Sequence, residues 1–210
     1  PMWNGGHMRM GNTPEIDPGP GDTFQSYDLP WANASNTPFR LHKRWTHEGG
    51  ISTPFIMSWP SNTSEPRLLD RPSHIVDIGA TIYDAAGATY PDELNGNRLT
   101  PLEGESFLTV FDGDEFTRQA PICWEHEGNR AVRMGDWKLV SEGNTRWELY
   151  NMVDDRTELN DLSESQPERV SEMSDVYEEW AAHIGALPWP VGTGGMASPR
   201  SGTKHIHDVN

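Results

Sequence analysis

Asn36-Thr-Pro-Phe-Arg-Leu-His-Lys-Arg-Trp-Thr-His-Glu-Gly-Gly-Ile-Ser-Thr-Pro-Phe-Ile-Met-Ser-Trp-Pro60 is the stretch on which the reading of this chain turns. Lys43 stands five residues ahead of Glu48, just before Gly49-Gly50, which have the backbone freedom to turn sharply or to approach a ligand closely. The run Phe55-Ile-Met-Ser-Trp59 is short, apolar and closed by Pro60, which predicts a buried strand of a parallel or mixed sheet. A lysine upstream of such a strand lies at the sheet edge, where open α/β sheets bind ligands. Arg40 and Arg44 complete a small basic cluster. A solvated loop lysine beside a structural glycine turn is the competing reading of the same residues.

The charge balance makes that cluster stand out. The chain has 32 acidic and 16 basic side chains and a formal net charge of −16. It lacks the basic footprint that nucleic-acid phosphates require. An acidic field also repels anionic esters at long range unless local cations invert it at the site. With 34% hydrophobic residues, 20 Gly and 17 Pro, the sequence predicts a modest core and much irregular backbone. The lone Cys123, between Ile122 and Trp124, excludes an intrachain disulfide and reads as a buried strand residue. No stretch approaches the length of about 20 apolar residues that spans a bilayer.

Lys43, Glu48, Gly49, Gly50, Pro54, Trp59 and Pro60 together resemble the C-terminal half of a type I, formylglycine-dependent sulfatase, most closely the bacterial arylsulfatases. Further matches follow in order. Ser73-His-Ile-Val-Asp-Ile-Gly-Ala-Thr-Ile-Tyr-Asp-Ala-Ala-Gly87 resembles the family helix behind the sheet, and Pro101-Leu-Glu-Gly-Glu-Ser-Phe107 the turn after it. Trp124–Arg133, Gly135–Val140 and Trp147–Asn151 resemble the terminal antiparallel strands, and Asp155–Leu162 the loop into the last helix. The resemblance covers roughly residues 8 to 187. It implies an α/β fold, the C-terminal part of an alkaline-phosphatase-like sulfatase fold, ending in a small antiparallel sheet packed on a C-terminal helix.

It also implies a mechanism. In the family a hydrated formylglycine attacks the sulfur of a sulfate monoester while Ca2+ and lysines hold the sulfate oxygens. Lys43 matches the sulfate-binding lysine, and Trp45 and His47, on the same loop, are candidates for lining the substrate entrance. The Cys-x-Pro-x-Arg motif that yields formylglycine is absent, and Asn4-Gly-Gly6 only faintly echoes the calcium-binding Asp-Asn-Gly segment. The chain therefore reads as a portion lacking the nucleophile and the Ca2+ ligands, inactive by itself, whose partner is a small-molecule or carbohydrate sulfate ester. A non-catalytic anion- or carbohydrate-binding module is the alternative. A Cys-x-Pro-x-Arg motif upstream in the reading frame establishes the enzyme, and a start codon near residue 1 sinks it.

Residues 1–117 read as the remainder of the large α/β domain, with 1–35 and 88–117 loop-like. Within them, Ile75, Ile78, Ile82 and Ala85 recur at helical spacing and predict an apolar-faced helix over 74–86 with Ser73 as N-cap. His74 reads as a capping or packing residue. Residues 118–187 read as a small α+β subdomain. In it, strands at 122–124, 131–133, 137–140 and 148–150 form a meander whose exposed face carries Arg133, Lys138 and Glu148. The helix that follows begins at Pro167, carries Val170, Met173, Tyr177, Trp180, Ala181 and Ile184 as a core stripe, and stops before Gly185. Residues 188–210 read as a disordered tail. His47-Glu-Gly49 and His126-Glu-Gly128 never extend to a His-Glu-x-x-His zinc motif, and Asp112-Gly-Asp114 lacks the other ligands of a calcium hand.

Overall fold

The computed structural model describes residues 28–63 and 65–190. The readings of 1–27 and 191–210 as loop and tail lie outside the described residues. The elements run α1 (Asp28–Asn36), α2 (Glu48–Ile51), α3 (Ile75–Ala85), a two-residue pair β1 (Glu93–Leu94) and β2 (Asn97–Arg98), and a 3-10 turn at Leu108–Asp112. The strands β3 (Ile122–His126), β4 (Asn129–Met134), β5 (Trp137–Ser141) and β6 (Glu148–Asn151) and the helix α4 (Pro167–Ile184) complete the chain.

β3 to β6 form an antiparallel sheet in sequence order, with Val132 opposite Leu139 and Leu139 opposite Leu149. Strand alternation sends Cys123, Val132, Leu139 and Leu149 to one face. There they pack on Met173 and Tyr177 of α4, flanked by Val170, Trp180 and Ala181. Each such buried side chain contributes roughly 1.5–3 kcal/mol relative to exposure. Pro167 occupies the first turn of α4, and Gly185, at φ 69°, closes it in the left-handed conformation. This unit follows the reading closely, except that Ile184 at the helix end is exposed.

The second face of the sheet is largely covered as well. Ala131, Val140, Tyr150 and Met152 form a separate buried cluster on it. The chain from Arg40 to Gly50 lies over this face: Thr46 Oγ1 donates to the Arg130 carbonyl at 3.1 Å, and Trp45 Nε1 to Glu142 Oε1 at 3.0 Å. Lys138, expected on an exposed face, is 0% exposed. The alternation places it opposite Leu139, as read, but the face it points to is covered.

α3 differs from expectation in the opposite sense. Its buried residues are Asp77 and Thr81. Asp77 accepts the N–H groups of His74 and Glu105, each at 2.8 Å, and an ion pair from Arg118. Thr81 donates its hydroxyl to the Asp77 carbonyl at 2.7 Å and accepts the Phe107 N–H at 3.1 Å. The expected core stripe is largely solvent-facing, with Ile75 at 74% and Ile82 at 62% exposure. Only Ile78 packs on the Phe107, Val110 and Phe116 cluster. The N-cap is His74 rather than Ser73, because the Asp77 carboxylate closes the helix start on the His74 N–H.

Two further readings are corrected. Residues 28–35, read as loop, belong to the helix Asp28–Asn36: Ala32 is buried, and Asn36 Nδ2 and Thr37 Oγ1 donate to the last-turn carbonyls of Ala32 and Asn33. Phe55–Trp59, expected as a buried strand, has no strand assignment, joins no sheet among the described residues, and exposes Phe55 and Ile56. Its rings instead meet edge-on the aromatics after α3, Phe55 with Phe107 and Trp59 with Phe111. Residues 88–117 are not wholly loop either, since β1, β2 and the 3-10 turn fall within them.

Candidate functional site

Gly49 and Gly50 are required by contact rather than by dihedral angle. They lie in α2, a single helical turn pressed against the chain before it. A Cβ on Gly49 would stand 2.3 Å from the carbonyl oxygens of Arg40 and Leu41, and one on Gly50 only 1.9 Å from that of Trp45. The Gly49 N–H donates to the Arg40 carbonyl at 3.2 Å, so residues 40–49 form a closed loop. Leu41 and Arg44 flank the loop tip at φ 65° and 113°, a region that side-chain-bearing residues seldom occupy.

Lys43 projects from this tip. It is exposed and makes no hydrogen bond or ion pair with any described residue. It lines a cavity of about 240 Å³ together with Asn36, His42, Gly49, Gly50 and Ser52. The neighbouring arginines are engaged elsewhere. Arg40 Nη1 donates to the Glu158 carbonyl at 2.9 Å and to the Tyr150 hydroxyl at 3.3 Å, and Arg44 Nε is 3.0 Å from Glu127. Of the three cations read as a cluster, only Lys43 is left for a ligand.

Trp45 and His47 are on the same loop but not on the cavity wall. Trp45 is half-buried, edge-on to His42 and bonded to Glu142. His47 is 1% exposed, with its Nε2 3.6 Å from Glu148 Oε2. The His47 ring beside it, the Tyr150 hydroxyl and Arg40 hold the Glu148 carboxyl below its ordinary range, against the opposing effect of burial.

Beneath the loop is a charge network that the sequence reading missed. Lys138 Nζ lies 3.0 Å from Glu48 Oε1 and 2.8 Å from Glu158 Oε1, and all three side chains are buried. Burial pushes the Glu48 carboxyl up, but Lys138, then Arg133 and Arg156, outweigh it and hold the group below its ordinary value. The signal was present: Trp137-Lys-Leu-Val140 carries apolar residues at both parities, which marks a strand covered on two sides.

Among the described residues no group of three or more His, Cys, Asp or Glu could hold a metal ion. Cys123 is buried, and burial pushes its thiol up to about 12, which removes it as a nucleophile at neutral pH.

A sheet capped by α4, a glycine-bound loop over its second face and a free lysine at the loop tip define a recognisable class. The family described as N-sulphoglucosamine sulphohydrolase, C-terminal, matches residues 39–181. The chain belongs to the sulfatase family and corresponds to its C-terminal portion. An uncharacterised sulfatase of Schizosaccharomyces pombe is 29% identical over 181 residues, 80% of this chain and 32% of the relative. An arylsulfatase of Klebsiella aerogenes is 30% identical over 48% of this chain and 22% of its own length. An N-acetylgalactosamine-6-O-sulfatase of Bacteroides thetaiotaomicron is 24% identical over 80% of this chain and 34% of its own. The chain thus spans about a third or less of the curated relatives it matches. The crystal structure of Ps i-CgsB superposes with a TM-score of 0.59 at 26% identity, covering 70% of this chain and 32% of that one.

Proposed function

We propose that this chain supplies the sulfate-binding lysine of a sulfuric ester hydrolase, with Lys43 contacting a non-bridging sulfate oxygen. The observation that carries the reading is the division of labour among three neighbouring cations: Arg40 and Arg44 are paired with the protein, and Lys43 alone faces a cavity unpaired. An ammonium at that place stabilises charge that builds on the sulfate oxygens as the ester bond breaks. It also reverses, locally, the repulsion that a net charge of −16 exerts on an anionic substrate. A carbohydrate sulfate ester is the proposed substrate class, supported by the name of the Bacteroides relative. Trp45 and His47 serve the site by holding the loop, through Glu142 and beside Glu148.

The test is made in the sulfatase carrying this portion together with the formylglycine-bearing portion. Lys43→Ala should lower kcat for 4-nitrophenyl sulfate by about 10²–10³, the scale of one lost oxyanion donor. Turnover equal to that of the parent would overturn the assignment. The 210 residues by themselves are proposed to be inactive, so turnover of the same ester by the purified chain would refute that part.

A further inference from the structure

We infer that Glu158, Lys138 and Glu48 are positioning residues for Lys43: a buried charge network on the sheet clamps both ends of the loop that carries the lysine. The inference rests on Lys43 being the sulfate-binding group. Glu158 touches the loop twice. Its main-chain carbonyl accepts from Arg40 Nη1 at 2.9 Å, and its Oε2 accepts the N–H of Glu48 at 2.8 Å. Arg40 and Glu48 are the two sides of the closed loop, with Lys43 at its tip. Lys138, rooted in β5, then joins the Glu158 and Glu48 carboxylates at 2.8 and 3.0 Å. Arg156 extends the network to the cavity wall, with Nε 3.4 Å from Glu48 Oε2 and Nη2 donating to Ser52 Oγ at 3.0 Å.

The backbone bears the mark of this clamp. Leu41, Arg44 and Glu158 all have positive φ, at 65°, 113° and 59°. Such conformations persist where the surroundings over-determine them, and they gather at sites whose geometry matters. A network serving only the stability of the sheet would not need to reach the loop from both sides, nor the Ser52 hydroxyl in the cavity. Removing the Lys138 ammonium leaves two buried carboxylates facing each other. On this inference Glu48 is then held less firmly, and the loop that it closes loosens with it.

The experiment follows amide hydrogen exchange of the 40–50 segment in the sulfatase that carries this portion together with the formylglycine-bearing portion, comparing the parent with Lys138→Met, Glu158→Gln and Leu149→Ala. Leu149 lies on the α4 face and does not touch the loop, so its variant reports the effect of lost stability alone. Lys138→Met is expected to speed exchange of the Gly49 and Gly50 amides by about tenfold or more, with Glu158→Gln acting in the same direction, because local opening is set by local contacts. Glu158→Gln keeps the side-chain shape and decides the matter if Lys138→Met does not fold. If Leu149→Ala, at a matched loss of Tm, speeds these two amides equally, the network is only structural and the inference falls. A parallel titration with inorganic sulfate separates the two claims. Failure of the parent to bind sulfate, or equal binding by Lys43→Ala, removes the assignment of Lys43 and leaves the exchange result to judge the clamp. Unchanged sulfate affinity in both network variants overturns the clamp while sparing the lysine.

Discussion

The sheet with α4 and the segment around α3 are held together in opposite ways. In the first, apolar side chains at strand and helix spacing bury one another, and Leu139, Leu149 and Val132 are fully enclosed. In the second, the contacts that fix the helix are mainly polar: Asp77 and Thr81 take up the N–H groups of Glu105 and Phe107 while Ile75 and Ile82 face out. Both segments show a clear helical stripe in sequence. The difference teaches that periodicity identifies an apolar face but not the element that covers it, and that an uncovered stripe can sit on a helix anchored from its polar side.

The largest effect is expected from Lys138→Met. Removing one member of a buried charge network strands the others, and the chain should lose about 3–5 kcal/mol in urea unfolding. A loss below about 1 kcal/mol, the value of an exposed pair, would show that water reaches the network. Next come Leu149→Ala and Asp77→Ala, one from each region, with about 2–5 kcal/mol expected for the first. Asp77→Ala should cost a comparable amount, because Arg118 would be left buried without its partner. A negligible effect of Asp77→Ala would break the claim that polar contacts hold α3.

Acidification should weaken the fold in two stages. Burial lowers His42 and His74 from the ordinary 6.5, so their contribution is complete above that pH and declines below it, as the unfolded chain takes up protons first. Glu48 and Glu148 are held below the ordinary 4.5, and the stability they supply is present above that value and lost as the pH falls through their folded-state pKa values. Thermal unfolding followed from pH 7 to about pH 3 should show Tm falling below the histidine range and more steeply below the ordinary carboxylate range. A flat profile would contradict both assignments. The smallest effect belongs to Ile75→Ala, a solvent-facing residue of the stripe, for which a change within about 0.5 kcal/mol is expected. A loss of core size would place a covering element over α3 in solution.

Much of the sheet unit was legible because its local signals agree. Pro167 and Gly185 bound α4, turn residues separate the strands, and alternation sorts Leu139 from Lys138. What sequence reading missed depends on contacts distant in the chain. Lys138 meets Glu48 from 90 residues away, and Glu158 meets the same residue from 110, so no local pattern reveals that the second face of the sheet is closed. Phe55–Trp59 has strand composition but no ladder partner among the described residues, and composition cannot supply one. At the site, Lys43 and the glycine pair were legible as a cation beside a close turn. That Arg40 and Arg44 are taken up by Glu158, Tyr150 and Glu127 required the fold.

Cys123, a minor strand residue in this account, makes the chain unusually easy to interrogate by chemistry. It is the one thiol in 210 residues, and its burial and raised pKa keep it from alkylating agents at neutral pH. A cysteine introduced at the exposed position 43 would therefore be the single reactive sulfur. Treating Lys43→Cys with 2-bromoethylamine would rebuild a side chain of lysine length, ending in a primary amine, on the folded protein. The requirement for a cation at the loop tip could then be switched off and on in one preparation.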